Sequence, residues 1–145
     1  MNRQIYARAP DPLRRRIILL VEDEPFVRDA TCRILEHAGF EVLSTKDAQE
    51  ATEVYETCEQ TIALVLTDMV LPGRSGQQLG EDLRVRSPQV VVLVTSGYGN
   101  PEYETEVPGS LTYFLPKPYP RRTLLDKIEK ILATGPRALA VGQAV

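Results

Sequence analysis

Five residues carry side chains suited to phosphoryl chemistry, and they stand at equivalent places in the chain. Glu22 and Asp23 follow one apolar run, Asp68 follows a second, Ser96 closes a third, and Lys117 comes just after a fourth. Three carboxylates gathered in one pocket repel one another unless a cation offsets them. Oxygen ligands without Cys or His favour Mg2+ or Ca2+ over zinc, and a small site with few carboxylates suits Mg2+. A carboxylate beside a dication and an ammonium group is arranged to attack a phosphoryl group. The cations and a hydroxyl then stabilise the charge on its equatorial oxygens. The product is an acyl phosphate on aspartate. Asp or Ser at one strand end means little. Three carboxylates, a hydroxyl and a lysine at the same end of four strands make a site.

The elements that must position them alternate short apolar runs with longer helical patterns. Residues 17–21 form a continuous apolar run of strand length. Phe26, Val27, Ala30, Ile34, Leu35 and Ala38 follow at helical spacing, with Pro25 suited to the first turn and Gly39 to the stop. Glu41 to Thr45 reads as a second strand. Asp47 and Glu50 read as a capping box for a helix presenting Ala48, Ala51, Val54 and Tyr55. Ala63 to Thr67 is the third strand, followed by a loop with Pro72, Gly73 and Gly76 and by a helix carrying Leu79 and Leu83. Val90 to Thr95 is the fourth and Thr112 to Leu115 the fifth, with Leu124, Leu125, Ile128, Ile131 and Leu132 lining a last helix. Five strands alternating with about five helices predict an α/β fold with a doubly wound parallel sheet. Strands apolar on both faces are what a sheet covered on both sides requires. Residues 1–15 read as a flexible N-terminal extension, 16–133 as the domain, and 134–145 as a flexible C-terminal tail.

Composition removes several function classes. With 17 basic and 20 acidic residues the formal charge is −3, so no bulk attraction to nucleic acid is expected. The arginines at 14, 15 and 16 read as a solvated lead into the first strand. No apolar run reaches membrane-spanning length and no secretory pattern opens the chain, which makes the cytoplasm the expected location. Cys32 and Cys58 have no companions at metal-ligand spacing and read as free thiols. His37 is the one histidine and stands at a helix end, where it suits the dipole. A Ser-His-Asp triad, a His-rich zinc site or a phosphohistidine module would all have to use it. No nucleotide-binding glycine loop occurs.

At this point the residues resemble the response-regulator receiver family of two-component signalling, over about residues 16 to 133. Leu20 to Pro25 looks like its acidic-pair turn. Leu66 to Gly76 resembles its phosphoacceptor loop, with Pro72 four and Gly76 eight residues after Asp68. Val94 to Gly97 is similar to its hydroxyl-plus-small pair, and Phe114 to Pro118 to its aromatic-x-x-Lys-Pro signature. The resemblance implies a flavodoxin-like (βα)5 fold and a phosphoacceptor at Asp68. Asp23 is then a direct Mg2+ ligand, Glu22 acts through a water, and the main-chain carbonyl of Val70 completes the ligand set. Ser96 contacts the phosphoryl group, Lys117 pairs with Asp68, and Lys117–Pro118 is a cis peptide. Phe114 is the switch aromatic that changes rotamer as Ser96 moves, altering a partner-binding surface. The implied donor is a sensor histidine kinase or a histidine phosphotransfer protein, and the domain is not itself an enzyme.

The chain departs from the family pattern in three places. Its acidic pair is Glu-Asp where Asp-Asp is commoner. Its hydroxyl is Ser96 and not Thr, with Thr95 as a rival that strand alternation sends to the opposite face. Residues 98–110 form a poor fourth helix, with Pro101, Pro108 and three glycines counting Gly97. That last feature resembles receivers of hybrid histidine kinases and leaves a monomer or weak homodimer as the expected state. Two other functions remain open: a degenerate receiver that binds partners without phosphorylation, and an aspartyl-nucleophile phosphatase. The latter needs a second acid where Val70 stands.

Overall fold

The computed structural model describes residues 16–58, 61–97, 106 and 109–134. The expected extension 1–15, all but Thr134 of the expected tail, and most of the stretch expected to form an irregular fourth helix lie outside the described residues. Within them, β1 (Ile17–Val21), β2 (Glu41–Thr45), β3 (Ile62–Asp68), β6 (Val92–Ser96) and β7 (Thr112–Pro116) form one parallel sheet in the order β2-β1-β3-β6-β7. Four helices accompany it: α1 (Pro25–His37), α2 (Ala48–Cys58), α3 (Gly76–Arg86) and α4 (Arg121–Thr134). The expected loop after Asp68 contains a small antiparallel ladder of β4 (Val70–Leu71) and β5 (Arg74–Ser75). Pro72 and Gly73 turn it, Gly73 taking a φ of 74° that glycine adopts without strain.

Alternation along each strand sorts the core into two layers. Leu19, Val21, Val65, Val92, Val94 and Phe114 face Ala51 and Tyr55 of α2 and Leu79 and Leu83 of α3. Ile18, Leu20, Leu64, Leu66, Leu93 and Leu115 face Leu35 of α1 and Leu124, Ile128 and Ile131 of α4. Burial on both faces explains why β1 and β3 read as unbroken apolar runs. Local signals set the helix ends. Pro25 stands at the start of α1, and Gly39 (φ 101°) follows its end. Asp47 accepts a hydrogen bond from the Glu50 N–H at 2.8 Å. Ser75 and Gln78 make a full capping box at the start of α3. β6 begins at Val92, two residues later than the apolar run, because the Val90 N–H is used in a turn to the Ser87 carbonyl.

β7 is an edge strand, and its outward donors are closed off. The Lys117 N–H donates inward to the Ser96 carbonyl, so residues 112, 114 and 116 direct their backbone nitrogens away from β6. The Thr112 N–H donates to Ser110 Oγ and the Phe114 N–H to Glu106 Oε2 at 2.8 Å; Pro116 has no N–H. Lys127 of α4 donates to the same Glu106 oxygen at 2.8 Å. An edge sealed in this way offers no donors to another strand.

Candidate functional site

The chain leaves β1 for β2 on one side and returns through β3 on the other, so the strand order reverses between β1 and β3. Ligands of such sheets bind beyond the carboxyl ends of the strands at that crevice. Glu22 and Asp23 follow β1 there, and Asp68 ends β3.

The acidic turn is held from several directions. The Glu22 N–H donates to the Thr45 carbonyl at 3.0 Å, while Thr45 Oγ1 donates to the Leu20 carbonyl. Arg28 on α1 donates from Nη1 to the Glu22 carbonyl at 2.8 Å. The Glu24 N–H donates to Glu22 Oε2 at 3.1 Å, leaving Oε1 of that carboxylate toward Lys117. Glu22 is buried and Asp23 exposed.

Asp68 is fixed by its neighbours in sequence. The Met69 N–H donates to the Thr95 carbonyl of β6, and the Gly76 N–H of α3 donates to the Met69 carbonyl. Carboxylate oxygens of Glu22, Asp23 and Asp68 lie within 4.8 Å of one another. The Lys117 ammonium lies 3.4 Å from Asp68 Oδ2 and 3.8 Å from Glu22 Oε1, with its side chain 28% exposed. The Lys117–Pro118 peptide is cis. Burial pushes the Glu22 carboxyl above its usual range, and the charge of Asp68 adds to the effect; the Glu24 N–H and Lys117 oppose it. Burial also raises the Tyr119 phenol, followed by the charges of Glu22 and Asp68. Three acids against one ammonium leave a site short of positive charge. An all-oxygen donor set of this kind fits a hard dication such as Mg2+.

The other expected residues fall around this cluster. Ser96 is buried at the end of β6, one residue past the Thr95 that pairs with Asp68. By alternation Ser96 shares the side of Val92, Val94 and Phe114, whereas Thr95 shares that of Leu93 and Leu115. Phe114 is buried in the first layer, and Tyr113 packs against the second. Val70 follows Asp68 by two residues, in β4, and is 74% exposed. Thr45 and Arg28 have no signal of their own in the sequence, and they reach the acidic turn only through tertiary hydrogen bonds.

A family model described as response regulator receiver domain matches residues 18–129. The sensor kinase CckA of Brucella abortus is 31% identical over 116 residues, covering 79% of this chain and 12% of that protein. A crystal structure of the receiver domain from the hybrid histidine kinase CckA is 34% identical with a TM-score of 0.69, covering 80% of this chain and 98% of that one. A response regulator receiver domain protein from Clostridium thermocellum, 24% identical, superposes with a TM-score of 0.73 over 80% of this chain and 93% of that one, a likeness of fold. The chain spans about half the length or less of the curated relatives it matches. Among the described residues no helix is long and apolar enough to cross a membrane.

Proposed function

The chain belongs to the response regulator receiver domain family, and we propose that Asp68 is the residue through which it accepts a phosphoryl group. The reading rests above all on Lys117, whose ammonium lies against both Asp68 and Glu22 where the sheet opens. A carboxylate oxygen of Asp68 attacks phosphorus on a phosphohistidine donor. The new O–P bond forms as the P–N bond breaks, and the electron pair leaves on the imidazole nitrogen, which takes a proton from solvent. Lys117 holds the attacking carboxylate beforehand and a phosphoryl oxygen afterwards. Ser96 donates to another of those oxygens.

Glu22, Asp23, Asp68 and the main-chain carbonyl of Val70 are the groups to hold Mg2+, with three carboxylates in reach of one another in support. Bound there, Mg2+ would neutralise charge on the acids and on the phosphoryl oxygens. Phe114 serves as the switch aromatic. Its place on the Val94 side of β7, the side Ser96 shares by alternation, supports that role. The donor is a sensor histidine kinase or a histidine phosphotransfer protein. The domain acts as an acceptor, with at most self-catalysed transfer and loss of phosphate. Nothing acidic stands at Val70 to make it a phosphatase of the aspartyl-nucleophile type.

Intact mass after incubation with acetyl phosphate and Mg2+ tests the reading. The wild type should gain one phosphoryl group and Asp68→Asn none. No gain in the wild type would instead favour a phosphorylation-independent binding module.

A further inference from the structure

Asp68 must be placed to a fraction of an ångström relative to Lys117 and the acidic turn, yet its own strand ends at it. Beyond that end the chain is held by the Met69 N–H on the Thr95 carbonyl of β6 and by the first turn of α3. The Gly76 N–H donates to the Met69 carbonyl at 2.8 Å, and the Ser75–Gln78 box locks the same turn. A Cβ on Gly76 would fall deep inside van der Waals contact with the Asp68 carbonyl oxygen. It would also stand 2.8 Å from Thr67 Cγ2 and 3.0 Å from Thr67 Oγ1. Backbone, not a flexible side-chain tip, blocks that space. Gly76 has no positive φ, so its need for glycine comes from the closeness of the β3 end, the Asp68 carbonyl first and the Thr67 side chain after it.

Gly80, one turn further along α3, makes a useful contrast. A Cβ there would lie 3.2 Å from Val92 Cγ2, against a side chain at the start of β6, the end of that strand away from the acids. The two glycines test the same helix against the same sheet at two heights. One contact bears on the phosphoacceptor and the other on the core.

The geometry assigns Gly76 as a positioning residue for phosphoryl acceptance, acting through the backbone of Asp68. This inference rests on the phosphoacceptor reading above. The absence of a side chain at 76 lets α3 seat directly on the Asp68 carbonyl, so the helix sets where the carboxylate stands. Any larger residue must push strand end and helix apart by on the order of an ångström, a displacement that costs an oriented reaction on the order of a hundredfold in rate.

The experiment compares wild type, Gly76→Ala and Gly80→Ala. The initial rate of phosphoryl incorporation from acetyl phosphate is followed by intact mass at saturating Mg2+, alongside urea melts of each protein. Both variants are expected to lose stability. Gly76→Ala should also lose roughly tenfold to a hundredfold in rate under conditions where it is fully folded, while Gly80→Ala stays within about twofold of wild type. Equal rates for folded Gly76→Ala and Gly80→Ala would overturn the inference while leaving the phosphoacceptor reading intact. A wild type that takes no phosphate would overturn that reading, and the inference with it. Should Gly76→Ala yield no folded protein, Ser75→Ala decides in its place. It unties the same turn without adding an atom, and is expected to slow incorporation severalfold; an unchanged rate would overturn the inference.

Discussion

Replacing Lys117 by methionine keeps most of the apolar stem and removes one positive charge from between two acids. At an effective dielectric near 20, the ammonium attracts Asp68 at 3.4 Å by about 5 kcal/mol and Glu22 at 3.8 Å by about 4 kcal/mol. Desolvation of the lysine and screening at its exposed side offset much of this, leaving a net loss of about 2–3 kcal/mol. For a domain of this size that lowers Tm by roughly 6–12 °C. Urea denaturation of wild type and Lys117→Met at pH 7, with and without Mg2+, reads the effect. Mg2+ supplies the missing charge to the folded state alone, so the deficit should shrink when it is added. It should also shrink as pH falls from 7 toward 5. Glu22 has a folded pKa raised above 4.5, so the folded state holds its proton to higher pH than the unfolded chain does. Its contribution is complete below the unfolded value and is lost as pH rises through the folded one. Without Lys117 that folded value rises further, and protonation relieves the repulsion sooner. A deficit indifferent to both Mg2+ and pH would refute the electrostatic reasoning and leave Lys117 a packing residue.

Glu22→Gln should leave stability at pH 7 unchanged or raise it by about 1 kcal/mol, since it removes a buried charge while keeping an oxygen for the Glu24 N–H. The fall in stability that Glu22 contributes as pH rises through its raised folded value should then disappear, and Mg2+ affinity measured by calorimetry should weaken. Glu106→Ala should expose the Phe114 N–H on the edge of β7 and cost about 1 kcal/mol. The measurement is hydrogen exchange, where the Phe114 amide should exchange faster while β1 amides do not. Because bonds from Lys127 and the Phe114 N–H outweigh burial and lower the Glu106 carboxyl, its latch should hold at pH 4.5 and be lost only as pH falls through the lower folded value.

Much of this is legible in the amino-acid sequence. β1 and β2 stand as expected, because an apolar run ending in Glu22 and Asp23 leaves little freedom over where the strand stops. Asp68, Lys117 and the acidic pair read as strand-end residues, and the sheet order brings them together. Tertiary effects hid the rest. Ser75 and Gln78 have capping-box spacing, but Gly76 inside that turn is a poor helix former and weakens the signal. Its purpose appears only where α3 meets the Asp68 carbonyl. Thr45 and Arg28 hold the acidic turn through main-chain groups, which no side-chain pattern announces. Val90 is buried like a strand residue although its N–H turns back to the Ser87 carbonyl, because burial and ladder pairing are separate conditions.

The most direct test of the central claim is to locate the phosphoryl group. After treatment with acetyl phosphate and Mg2+, reduction with borohydride converts an acyl phosphate on aspartate to homoserine, which peptide mass mapping places in the sequence. Homoserine is expected at position 68 and at no other acid, Glu22 and Asp23 included. Reduction at a different residue, or phosphorylation of Asp68→Asn to the wild-type level, would contradict it.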